Sequence, residues 1–137
     1  MTPEAGPRPD QSRGQRSLLF PLLAVAWMGA IFWVSSGPVP PFAPDQLFDL
    51  ALKLAGHFCA YALLAALWWL ALRDRVAPRT ALVVAFVIAV GYAASDELHQ
   101  SFSPTRHPSI VDVGIDALGA AAGLWLVSRL ARRRRET

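Results

Sequence analysis

The chain has 137 residues, 54% of them hydrophobic and 17% charged, with a formal net charge of +3. That is one small domain, too apolar for an ordinary soluble protein. A pI near 9.8 does not make it a nucleic-acid partner, because its arginines flank apolar segments and form no face interleaved with base-stacking aromatics.

Residues 1–16, with Pro3, Gly6, Pro7 and Pro9, read as a disordered tail. Apolar stretches follow at about residues 18–34, 50–72, 81–95 and 110–130. A spanning helix needs roughly 20 mostly apolar residues, so each stretch suits one crossing. The first is predicted to run to Ser36 with Pro21 in its opening turn. It is long for the apolar region of a secretory signal, and no clear A-x-A site follows it. Pro38, Pro40, Pro41 and Pro44 then make a stiff loop, after which Asp45 or Asp49 can cap the second helix. Cys59 lies within that span, and as the single cysteine it can form no intrachain disulfide. Pro78 and Arg79 start the third helix, and residues 103–109 form a tight turn bounded by Pro104 and Pro108. Residues 17–131 are thus the membrane domain, and 132–137 a basic tail. The fold class is all-α: a four-helix transmembrane bundle.

Charge sets the expected direction. Arg8, Arg13 and Arg16 precede the first span, and Arg73, Arg75 and Arg79 lie around the second link. With Arg129 and Arg132 through Arg135, these are 11 of the 13 basic residues. Short Lys/Arg-rich loops stay in the cytoplasm, so both termini are expected on the cytoplasmic side of the membrane. The opposite links hold only Lys53 and Arg106 of the basic residues, but carry all three histidines: His57, His99 and His107.

Helical spacing sorts the polar residues near that outer end into stripes. Asp49, Lys53, His57 and Tyr61 step by four along the second helix; Tyr92, Asp96 and Gln100 do so on the third, with Glu97 and His99 beside them. Asp112 and Asp116 follow on the fourth, then Gly119 and Gly123, a small-xxx-small pair that permits close backbone approach within the bundle or in a homo-oligomer. From Asp116 to Leu130 is roughly 21 Å of helix, which sets Asp116 well inside the bilayer. A lone ionised group near the membrane centre costs about 2.5–3.5 kcal/mol, so the stripes must face one another or a wet cavity. Plainer roles exist for each member. Lys53 and Asp49 can be an interfacial pair, and His57 a hydrogen-bonding core residue. Glu97 and His99 cannot both face the side of Asp96, so one is expected to point towards headgroups. The cluster taken together points to a functional pocket.

The run Ser95–Asp96–Glu97–Leu98–His99–Gln100–Ser101–Phe102, then Pro104–Thr105–Arg106, then Ser109-x-x-Asp112, Asp116, Gly119 and Gly123, resembles the VanZ-like family of bacterial membrane proteins. Two departures stand out: Leu54 holds the place where the family's lysine usually sits, and Thr105 replaces a frequent glycine. The resemblance implies a four-helix inner-membrane protein and a link to susceptibility to the glycopeptide teicoplanin. It implies no agreed reaction.

Three functions follow as expectations. The first is binding or modification of an anionic lipid or isoprenoid-linked wall precursor in an outward-facing pocket. Lys53, His57, Tyr61, Asp96, Glu97, Gln100, Arg106, Asp112 and Asp116 would line it, with helices two to four forming the cleft and Arg106 gripping the phosphate. The second is an outer-leaflet phosphoester hydrolase or transferase, with His57 or His99 as acid/base and Asp96 as orienter or nucleophile. The third is a proton-coupled carrier, disfavoured by inner halves that hold nothing ionisable. No cofactor is expected. A metal held by His57, His99, Asp96 and Asp112 has no diagnostic spacing behind it, so none is assigned.

Overall fold

The computed structural model describes residues 11–37, 45–102 and 109–136. It holds four helices, α1 (Gln11–Ser36), α2 (Gln46–Leu72), α3 (Pro78–Gln100) and α4 (Ile110–Glu136). All four are long and apolar enough to cross a bilayer, with mean hydropathy of 1.7–2.0 over their spans. The protein is therefore a multi-pass membrane protein. The proline-rich loop 38–44 and the turn 103–108, with Arg106 and His107, lie outside the described residues.

Local chemistry sets the helix ends. Asp45 caps α2 by accepting a hydrogen bond from the Phe48 N–H at 2.8 Å. Pro78 opens α3, where its missing N–H costs nothing. The α2–α3 link is short: the Arg73 N–H donates to Trp69 O at 2.8 Å, and the Arg75 N–H to Leu72 O at 2.9 Å. One expectation needs correcting. Helix α1 begins at Gln11, so Pro21 lies in its interior and not in the opening turn. Its missing N–H strips the carbonyl four residues earlier of a helical partner. At the polar end of the span, water can stand in for that donor.

Packing is the inverse of a soluble bundle. Small residues face inward: Ala81, Ala85, Ala89 and Ala93 recur every fourth position of α3, and all are fully buried. Large apolar side chains such as Leu22, Trp33, Val83, Val87 and Leu118 are exposed to the lipid side. Lipid is as apolar as leucine, so close backbone approach, and not burial of bulk, draws the helices together. Helix α2 touches the other three, and its contact with α4 is the most extensive. Gly119 and Gly123 explain why. A Cβ built on Gly119 would stand 2.9 Å from the Phe58 carbonyl carbon, and one on Gly123 2.8 Å from that of Ala62. The glycine pair thus serves packing within the bundle.

Helix α1 is tethered by two polar bonds from aromatic side chains. Trp27 Nε1–H donates to Ala60 O at 2.9 Å, and the Tyr92 hydroxyl donates to Met28 O at 2.6 Å. Each joins α1 to a neighbour through a backbone carbonyl, an acceptor that remains available in a helix.

Candidate functional site

The polar residues gather at the end of the bundle where α3 stops and α4 starts. Asp96 is 4% exposed, and both its carboxylate oxygens are met. Ser35 Oγ donates to Oδ1 at 2.5 Å, and Gln100 Nε2 to Oδ2 at 3.0 Å. The first bond comes from α1, so the site is not built from α2 to α4 alone. Ser35 carried no sequence signal beyond being a hydroxyl in an apolar helix. Without it, one buried carboxylate oxygen loses its donor, which costs about 1–3 kcal/mol. Ser35→Ala should lower the thermal midpoint in detergent accordingly. Ser36→Ala should lower it far less, because the exposed Ser36 hydroxyl bonds within its own helix to Phe32 O and reaches α3 only through a long, exposed 3.4 Å contact with His99.

Asp116 is 1% exposed, and its Oδ1 lies 3.1 Å from His57 Nδ1. If Nδ1 carries the proton, Nε2 keeps a free lone pair, the arrangement of an acid-oriented general base. The Asp112 and Glu97 carboxylates also act on this imidazole. Glu97 turns inward: it is buried, and its Oε2 accepts the Ser109 N–H at 2.8 Å. That bond ties the end of α3 to the start of α4. Ser109 in turn caps α4, its Oγ accepting a long 3.4 Å bond from the Asp112 N–H. The serine of Ser-x-x-Asp thus has a structural role, while the bond uses only the backbone of Asp112.

His99 points elsewhere. It is exposed, its ring 4.6 Å from that of Phe32 and its Nε2 3.4 Å from Ser36 Oγ. Of the pair that could not both face inward, Glu97 is the inner one. Lys53 is held by Asp49 at 2.5 Å, one turn nearer the helix start than His57, with its side chain one-third exposed. Among the described residues, no group of three His, Cys, Asp or Glu side chains is arranged to hold a metal ion.

The stripes face one another. His57 of α2 meets Asp116 of α4, Asp96 and Gln100 pair on α3, and Tyr61 and Glu97 are buried at the same end, a polar body drawn from three helices with half-buried Asp112 at its edge. Two of its atoms are buried without a partner among the described residues: the Tyr61 hydroxyl and Glu97 Oε1. Tyr61 is 1% exposed and sits in the field of Asp96 and Asp116. An unpaired hydroxyl in a dry site costs about 1–3 kcal/mol, so these atoms are ready to bond to an incoming polar group or to water. The other half of the core is apolar, filled by Leu64, Ala65, Trp69, Ala85, Ala89 and Leu124. Among the described residues no buried ionisable chain crosses it, which weighs against a proton-coupled carrier.

A sequence model of the VanZ/LLP1 family matches residues 11–132, which take in the whole of 17–131. The chain belongs to the VanZ/LLP1 family. No curated protein and no solved structure matches it significantly. Within this VanZ/LLP1 chain, Asp96, Glu97 and Gln100 at the end of α3 and Asp116 on α4 are buried members of the polar body.

Proposed function

We propose that this VanZ/LLP1 protein binds the polar headgroup of an anionic lipid or lipid-linked envelope precursor at the polar end of its bundle. The observation that carries the reading is a pair of buried atoms, the Tyr61 hydroxyl and Glu97 Oε1, that have no hydrogen-bond partner among the described residues, beside the hydrogen-bonded Asp96 and Asp116 carboxylates. Polar groups are held in a membrane core at a cost, and a recurring ligand offsets it. The described part of the site is rich in carboxylates, so it favours the hydroxyl and amide donors of a headgroup. The phosphate falls to Arg106, in the link between α3 and α4. The arginine asymmetry supports a bundle with both termini in the cytoplasm and this end outside the plasma membrane.

A second reading has one observation in its favour. The His57–Asp116 contact, with His57 partly exposed, is suited to draw a proton from water attacking a phosphoester.

Native mass spectrometry of the purified chain separates these readings. Wild type should carry one intact lipid more than Arg106→Ala, and Asp116→Asn should hold that lipid weakly. A cleaved lipid whose formation stops in His57→Gln would establish the enzymatic reading. Equal lipid retention by wild type and both variants would refute headgroup binding at this site.

A further inference from the structure

We propose a second lipid site at the opposite, basic end of the bundle, independent of the polar cluster. It holds an anionic phospholipid of the adjoining leaflet. Arg129, Arg132 and Arg133 grip the phosphate, and an acyl chain lies in the groove between α3 and α4. Arg129 is thirteen residues beyond Asp116 on α4, roughly 20 Å along the helix.

The mouth is a depression of about 510 Å³ lined by Trp125, Ser128, Arg129, Arg132 and Arg133. It continues into an apolar groove of about 360 Å³ that includes Leu82, Phe86, Ala121 and Leu124 and shares Trp125 and Ser128 with the mouth. A charged mouth leading into an apolar groove matches a molecule with a phosphate at one end and a hydrocarbon chain attached.

Charge argues the same way. The three arginines stand at i, i+3 and i+4 on one helix face, where like charges repel. Lys53–Asp49, His57–Asp116 and Arg73–Asp74, ion pairs among the described residues, involve none of these three. Arg129 is steadied over the Trp125 ring, 5.1 Å from its centroid, at the lip between mouth and groove. Guanidinium groups so placed offer a phosphate charge-assisted, bidentate bonds. A free phosphate would use the mouth alone and leave the groove without a role.

The test is native mass spectrometry of the full chain in mild detergent with equimolar phosphatidylglycerol and phosphatidylcholine. In an Arg106→Ala background, which disables the headgroup site at the polar end and is the parent for every variant here, the protein should retain phosphatidylglycerol in preference. The triple variant Arg129→Gln, Arg132→Gln, Arg133→Gln should bind it roughly a hundredfold more weakly, the factor expected for three basic groups at an anionic lipid surface. Ala121→Phe, which fills the groove at an exposed position, should weaken it about tenfold, equivalent to some two methylenes of lost burial. Undiminished retention by either variant would overturn the site as drawn. So would an equal loss in the triple variant Arg73→Gln, Arg75→Gln, Arg79→Gln, which would reduce the effect to general surface charge. Displacement of the lipid by inorganic phosphate at matched concentration would reassign the mouth to a free anion. Circular dichroism should show all variants equally helical.

Discussion

Gly119→Leu and Gly123→Leu should each prevent α2 and α4 from packing, and so abolish the folded bundle in detergent. The obstacles are backbone atoms, which cannot rotate away: the Phe58 carbonyl group for Gly119 and that of Ala62 for Gly123. Even one added carbon at either site must push α4 outward along its most extensive contact. Overpacking of that kind costs typically about 1–3 kcal/mol, so Gly119→Ala should lose about that much. Leucine adds three further carbons against the same backbone and exceeds what a domain of about 5–15 kcal/mol total stability tolerates. Gly91 supplies the contrast. A Cβ there meets nothing within 4 Å, so Gly91→Ala should be neutral or stabilise by up to about 1 kcal/mol through helix propensity. Thermal unfolding followed by circular dichroism decides the matter. A wild-type midpoint for either leucine variant would contradict the packing described.

The second large effect is expected at the His57–Asp116 pair. Asp116→Leu leaves the imidazole without its partner, and His57→Leu leaves a 1%-exposed carboxylate without its donor. Stranding one member of a buried pair costs about 3–5 kcal/mol, and the 29% exposure of the His57 side chain puts the expectation near the lower figure. Removing both together should recover much of that loss, since the pair's desolvation cost disappears with it. The double-mutant cycle should therefore give a coupling of about 1–3 kcal/mol. Asp116→Asn keeps an oxygen that can accept from Nδ1 and should be the mildest of the series. Additive single losses would mean that the two groups titrate and pack independently.

The contrast between these two sites shows what a single sequence conveys. The four spans were legible because an apolar run of bilayer length has little use except to cross a bilayer. The i,i+4 stripes placed His57 with Tyr61 and Asp112 with Asp116, and the Gly-xxx-Gly spacing marked a close approach. Periodicity gives the face of a helix but not its partner, so it did not decide between a mutual core and a wet cavity. It was equally silent on which of Glu97 and His99 turns inward; the Ser109 N–H, which Glu97 accepts, settles that in the fold. Ser35 is the clearest omission. One hydroxyl in an apolar helix does not change hydropathy, yet it supplies the 2.5 Å bond to Asp96 that brings α1 into the site. The start of α1 at Gln11 was hidden for a similar reason, because polar residues extend a helix beyond the membrane without any apolar mark.

The assignment of a headgroup site rests on the polar end of the bundle facing outward, and accessibility to a membrane-impermeant maleimide tests this directly. In a Cys59→Ser background, Thr105→Cys lies in the link between α3 and α4, and Asp74→Cys in the arginine-rich link between α2 and α3. Added to intact cells, the reagent should label the Thr105→Cys variant and leave the Asp74→Cys variant unlabelled until the membrane is permeabilised. Labelling of Asp74→Cys with protection of Thr105→Cys would invert the protein and remove any exterior ligand from the account.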